Sequence, residues 1–311
     1  MTLRVEHVLG RSVTVSAGDL ALLTYVYGPD TLQLESPKPY LHPIRTLAGE
    51  VVSAFRPHDH VWHKGIAWSL PHVGEHNFWG GPTYVTGQGY VQLDNNGSAV
   101  HQEMTALAVD ERAATLRHRL DWTTQQGAHV IEEHRALTVT VADETTWVLV
   151  FDTAMTNASG ETLPFGSPTT KGRDNAGYGG LFWRGPRSFT GGLLVAPGGA
   201  GGDELRGSRA EWFAFRGRHD ESGARSTVVI VDDRDNPRHP PQWFARTEEF
   251  ACLNPAPFFN EEFDLPERAT LRFRYAVVVA AAVHDGDHTT ALAVHGRQAL
   301  ARQFNTKPAS P

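Results

Sequence analysis

Residues 58–81 (HDHVWHKGIAWSLPHVGEHNFWGG) hold five histidines and three tryptophans, out of sixteen and eight in a chain of 311 residues. Imidazole titrates near neutrality and is the commonest protein metal ligand, so this density points to acid–base chemistry, metal binding or recognition. On an extended chain His58 and His60 share one side, and His63 joins them if the chain turns after His60. Three histidines with an open position would suit a catalytic divalent metal, with Asp59 or Glu75 orienting a ring. The spacing is less diagnostic than H-E-x-x-H on a helix. Metal-free acid–base or sugar-binding histidines, and ordinary loop histidines, therefore stay open beside it. No other cofactor is indicated. Lys64 could bind a carboxylate or polarise a carbonyl, or could sit in solvent beside Gly65. His76 and Trp79 complete the stretch as candidate binding residues.

A second cluster spans 167–189 (SPTTKGRDNAGYGGLFWRGPRSF), where Lys171, Arg173, Asp174, Tyr178, Trp183 and Arg184 are interleaved with glycines. Glycine lets a loop approach a ligand closely, and Arg and Asp supply directional donors and acceptors. An aromatic face beside such groups suits a pyranose ring, with Trp79 or Trp183 as the platform. The alternative is a structural loop whose aromatics plug the core. No G-K-[ST] and no following helix accompany G-Y-G-G, which argues against nucleotide binding. A third candidate, His239, lies on the Pro-rich loop D-N-P-R-H-P-P-Q-W at 235–243 as a further acid or base. In Glu132-Glu133-His134 only Glu132 shares a side with His134. Facing inward it would have a raised pKa; facing outward it would be solvated. No G-x-S-x-G elbow occurs, and the single cysteine, Cys252, sits in an apolar context typical of an inert thiol.

The elements that must position these groups are strands. Residues 113–123 alternate with Leu116, His118, Leu120 and Trp122 on one face, and 99–109, 128–141, 146–157, 211–217, 226–232 and 269–280 behave alike. Tight polar turns between long strands make an antiparallel meander. One helix is expected, capped by Asp287 and running to about Gln303, with Gly296 weakening its middle. The expected architecture is all-β: a large antiparallel β-sandwich with a C-terminal helix, forming one domain over 1–305 with a flexible tail at 306–311. Net charge −7 and the lack of a basic run argue against nucleic acid and anionic membranes, leaving a small-molecule carbohydrate as the partner and a homo-oligomer open. No signal peptide or spanning segment is visible, and a cytoplasmic location is expected.

The ordered motifs L-H-P-I-R-T-L-A-G at 41–49, R-P-H-D-H-V-W-H-K-G at 56–65, N-F-W-G at 77–80, G-Y-G-G-L-F-W-R at 177–184 and N-P-R-H-P at 236–240 resemble the bacterial DUF6807 family. The resemblance runs from about Tyr40 to Val279. Family members carry D-H-P-H-H-R-G in the histidine motif. Here Val61, Trp62 and Lys64 take its third, fourth and sixth positions, so His60 and His63 match and one family histidine is absent. Members are often labelled "methane oxygenase PmoA", a label that implies an integral membrane subunit and does not suit a chain without a spanning segment. The long meander and His-bearing loops also look similar to the galactose-mutarotase-like supersandwich, whose enzymes work on sugars with a histidine acid and a carboxylate base. The resulting expectation is a carbohydrate-processing enzyme, an epimerase, lyase or hydrolase. Its catalytic residues would be His60, His63 and His239, and Arg173 and Asp174 would position hydroxyls or a carboxylate. A non-catalytic carbohydrate-binding protein is the first alternative, and an enzyme with a metal on His58, His60 and His63 the second.

Overall fold

The structure, a computed structural model, describes residues 1–281 and 288–303. Two large antiparallel sheets dominate it. The first has eight strands in the order Leu3–Val8, Ser12–Ala17, Leu20–Val26, Tyr40–Ile44, Ile66–Ser69, Gly180–Arg184, Cys252–Ala256 and Gln242–Arg246. The second has nine, in the order Gly199–Gly201, Leu193–Ala196, Trp212–Arg218, Arg225–Asp232, Thr270–Ala281, Thr146–Asn157, His129–Val141, Ala114–Thr123 and Ser98–Val109. The sheets pack face to face over one apolar core, where Trp68 of the first stacks on Phe151 and tilts against Phe273 of the second. This is the β-sandwich that the period-two pattern predicts.

Strands at the centre of the larger sheet are buried on both faces. Leu271, Phe273, Tyr275, Val277 and Val279 point into the sandwich, while Ala276, Val278 and Ala280 meet the helix His288–Gln303 on the outside. Gly296 is what lets that helix come close: a Cβ there would lie 2.6 Å from a Val231 methyl. The glycine therefore trades helix propensity for packing, and the helix forms despite it. The expected cap Asp287 and the tail 306–311 lie outside the described residues. Among the described residues no helix is long and apolar enough to cross a membrane.

Between the sheets runs a polar network. The Glu133 carboxylate, 0 % exposed, accepts two hydrogen bonds from Arg135 (2.7 and 2.9 Å), one from Trp122 Nε1 (2.8 Å) and one from Thr153 Oγ1 (2.8 Å). Arg135 also donates to the Tyr25 hydroxyl, which bonds His118 Nε2 at 2.8 Å, and His118 Nδ1 meets His101 Nδ1 at 3.0 Å. Glu132 and His134 face solvent, 3.2 Å apart, so the inward carboxylate of this strand is Glu133. Burial pushes His118 well below the usual imidazole range, with the Arg135 and His101 charges acting in the same direction.

Candidate active site

A cavity of about 350 Å³ opens at one edge of the eight-stranded sheet, and its walls come from the segments 60–63, 79–82, 173–182 and 244–250, together with Tyr90. The first and third of these belong to the two clusters singled out in the sequence, and both contribute to the lining. His60, His63, Trp79, Arg173 and Tyr178 line it, joined by Trp62, Phe182, Phe244, Arg246, Glu249 and Phe250.

The local chain explains why these side chains converge. A tight turn, with His63 N bonded to the His60 carbonyl at 2.9 Å, brings the two imidazoles on top of one another, 4.7 Å apart and within 8° of parallel. Asn77 organises the next wall: its Oδ1 accepts from the backbone N–H groups of Trp79 (2.8 Å) and Gly80 (3.0 Å), and its Nδ2 donates to the Gly81 carbonyl. Gly81, at φ +68°, lies under the Trp62 ring, where a Cβ would sit 2.6 Å from the indole. From behind, the buried Lys38 ammonium donates to the carbonyls of Glu35, Ser36 and Trp79 at 2.9–3.1 Å.

One ion pair sets the electrostatics. Asp59 and Arg184 lie 3.2 Å apart, and each also holds one of the stacked histidines. Asp59 Oδ2 is 3.0 Å from His60 Nδ1, and Arg184 donates to His63 Nδ1 at 2.9 Å. Burial alone would raise the Asp59 carboxyl, but hydrogen bonds from His60 and Arg184, with the guanidinium charge, outweigh it and bring it down to about 2. An ionised carboxylate only accepts, so His60 Nδ1 carries the hydrogen and Nε2 is the lone-pair acceptor. A guanidinium only donates, so His63 Nδ1 is the acceptor and the hydrogen is on Nε2. The two rings thus adopt opposite tautomers. Burial lowers both pKa values, and lowers His63 strongly, aided by the charges of His60, Arg184, Lys38 and Lys64. Both rings are neutral at pH 7. The arrangement offers a base at His60 Nε2 and, beside it, a neutral N–H donor at His63 Nε2; His63 is not an imidazolium acid.

Several expected residues sit elsewhere. Trp183 is wholly buried and donates its indole N–H to the Val52 carbonyl at 2.8 Å, so it is a core plug and not a ring platform. The reason is alternation: along Gly180–Arg184, Phe182 and Arg184 face the site and Trp183 faces the sandwich interior. Trp62 takes the place at the cavity. His239 does not line the cavity; its loop turns back so that Nδ1 lies 2.6 Å from Asp232 Oδ2 at the end of the strand Arg225–Asp232. Burial raises the Asp232 carboxyl to about 6, against the opposing bonds from Asn236 and His239. Lys64 is buried in an ion pair with Glu35 at 2.7 Å, Lys171 pairs with Glu262 at 2.6 Å, and Asp174 is exposed. His76 is half-buried in a turn and His58 is exposed, both outside the cavity walls. His58, His60 and His63 do not converge, and among the described residues no group of three His, Cys, Asp or Glu side chains is placed to hold a metal. Cys252 is buried and free, its thiol pushed up to about 12 by burial.

Tyr90, Phe244, Arg246, Glu249 and Phe250 are among the lining residues that the sequence reading missed. The available signal was an arginine ending an apolar alternating strand, Gln242–Arg246, with Phe244 two positions before it and so on the same face.

A family model described as a family of unknown function, DUF6807, matches residues 12–294. No curated protein matches the chain. Among solved structures, a Klebsiella pneumoniae protein provisionally assigned as an aldose 1-epimerase is 11 % identical with a TM-score of 0.41, over 96 % of this chain and 87 % of that one. An α-galactosidase from Lactobacillus brevis is 10 % identical with a TM-score of 0.40, over 90 % of this chain and 39 % of that one. A heparan sulfate lyase from Pedobacter heparinus is 8 % identical with a TM-score of 0.39, over 88 % of this chain and 34 % of that one. The chain thus spans little more than a third of the length of the galactosidase and the lyase. At these scores and identities the likenesses carry no argument about activity.

Proposed function

The chain belongs to the DUF6807 family, whose function is unknown, and from that premise we propose that it is an enzyme acting on a sugar or sugar derivative in the aromatic-walled cavity. The observation that carries this reading is the stacked His60–His63 pair, fixed in opposite tautomers by Asp59 and Arg184. His60 Nε2 takes a proton from a sugar hydroxyl or from a carbon beside a carbonyl, while His63 Nε2–H holds the oxygen on which negative charge develops. Trp62 and Trp79 supply the apolar faces on which a pyranose ring packs. Glu249 is the one carboxylate among the lining residues described, and glycoside hydrolysis ordinarily needs two flanking carboxyl groups. The site therefore favours epimerisation or elimination over hydrolysis.

The test is a panel of neutral monosaccharides and uronates incubated with the protein in D₂O and followed by ¹H NMR. At least one sugar is expected to exchange a C–H for deuterium, interconvert its anomers faster than without the protein, or form product, with His60→Ala and His63→Ala each lowering the rate by about 100-fold or more. Saturation-transfer binding of a sugar without any turnover would instead identify a binding module and overturn the enzymatic reading.

A further inference from the structure

Resting on that reading, we propose that the sugar taken by the cavity carries a carboxylate, held by Arg246 with Arg173 beside it. The guanidinium groups around the pocket are unevenly matched. Arg184 has Asp59, and Arg206 has Asp203 at 3.0 Å. Arg246 meets only Glu249, whose side chain is 68 % exposed and so heavily screened by water. Arg173 has no carboxylate within ion-pair distance among the described residues; it donates to the Tyr90 hydroxyl and lies 4.8 Å over that ring. This cationic surplus occurs in a chain whose net charge is −7. Arg246 itself is largely buried, held over the rings of Phe244 and Phe250 at 5.5 and 5.4 Å. A largely buried guanidinium whose one carboxylate partner is this exposed is only partly compensated, and a bound anion would complete it.

The polar atoms that the protein leaves unmatched point the same way. On the residues lining the cavity, the buried side-chain atoms without a hydrogen-bond partner are Trp62 Nε1, His63 Nε2 and Arg246 Nε. All three are N–H donors, given the tautomer that Arg184 imposes on His63. No buried side-chain acceptor on these walls is left unmatched, and the open acceptor at the cavity, His60 Nε2, is the base of the proposed reaction. A neutral sugar presents hydroxyls that donate as readily as they accept. A carboxylate presents only acceptors, and its planar geometry matches the guanidinium fork. A cavity of about 350 Å³ takes one such ring.

Calorimetric titration of the intact protein tests this with D-glucuronate and D-galacturonate, their neutral parents, hexose phosphates, and inorganic sulfate and phosphate, all at one ionic strength. At least one uronate is expected to bind about tenfold or more tighter than its neutral parent. In Arg246→Gln that ratio falls to within about twofold, and Arg246→Lys recovers part of it. Arg173→Gln, at a partly exposed loop position, gives a second reading if Arg246→Gln does not fold, as judged by its melting temperature. Equal affinity for neutral and acidic sugars, no binding of either uronate, a preference that survives both glutamine variants, or tighter binding of the phosphate or sulfate probes would each overturn the inference. A neutral sugar turned over with dependence on His60, and no preference for uronates, would overturn this inference alone. Arginine-dependent uronate binding without turnover would overturn the enzymatic reading alone.

Discussion

Two arginine–carboxylate pairs in this molecule each organise histidines, and they differ in whether the network closes. Between the sheets, Glu133 receives four hydrogen bonds, Arg135 is shared with Tyr25, and Tyr25 passes the chain of contacts on to His118 and His101. At the cavity, Asp59 and Arg184 hold His60 and His63, and the far nitrogen of His63 has no partner, nor do Trp62 Nε1 and Arg246 Nε beside it. The closed network does what buried polar groups normally do, which is to satisfy one another and fix a unique packing. The open one leaves N–H donors without partners on residues that line a cavity. Burial and depressed pKa values are common to His118 and His63, so neither distinguishes the two networks; the unmatched Nε2 of His63 does.

The largest expected effect breaks the closed network. Glu133→Ala leaves the Arg135 charge buried without its carboxylate and should cost about 3–5 kcal/mol of stability, read by urea or thermal unfolding. A loss below about 1 kcal/mol would mean that the network is not closed as described. Asp59→Asn is the counterpart at the cavity. Asp59 Oδ2 accepts from both His60 Nδ1 and Arg184, so the substitution removes the charge both bonds share, and an amide that can present either its carbonyl or its NH₂ no longer fixes the His60 tautomer. Turnover of the sugar that the panel identifies should fall by about tenfold or more, and stability by about 1–3 kcal/mol, because the buried Arg184 loses its carboxylate while Asp59 itself is partly exposed. If Asp59→Asn keeps full activity, the ion pair does not set the base.

Much of this contrast was legible in the sequence, and the rest was hidden for specific reasons. Period-two alternation located the long strands, with the His118 and Trp122 face correctly inward, because a half-buried strand writes its orientation into every second residue. It also contained the answer for Trp183, since Phe182 and Arg184 must share one face and Trp183 the other. The doubly buried strand Thr146–Asn157 and the acidic pair Glu132–Glu133 were less readable. Where both faces are covered, or where a charged residue is satisfied by a distant partner, local polarity no longer reports burial. The density of chemistry-bearing residues singled out 60–63 and 173–182, but their meeting at one cavity is a tertiary fact. Arg246 and Phe250 are brought in by strand order alone: Gln242–Arg246 is the edge strand beside Cys252–Ala256, a tertiary fact with no local signature.

The smaller prediction concerns pH. His60 is neutral in the folded protein with its pKa lowered by burial, so kcat/KM should be level above about pH 6.5 and fall as pH drops through the lowered value. A neutral His63 adds no alkaline limb near neutrality. Stability should respond separately: His42 and His72 are lowered to about 4 by burial, so their unfolded forms take up protons first. Their contribution is complete above the unfolded pKa, about 6.5, and is lost as pH falls from there toward 4. An activity limb near neutrality on the alkaline side would place an imidazolium acid in the site and contradict the assignment.

The most direct measurement is the tautomeric state of the two stacked rings, by two-dimensional ¹H–¹⁵N NMR of the histidine-labelled protein at pH 7, with His60→Ala and His63→Ala used for assignment. The structure predicts His60 neutral with its hydrogen on Nδ1 and His63 neutral with its hydrogen on Nε2. Two rings in the same tautomer, or either one doubly protonated at pH 7, would contradict it.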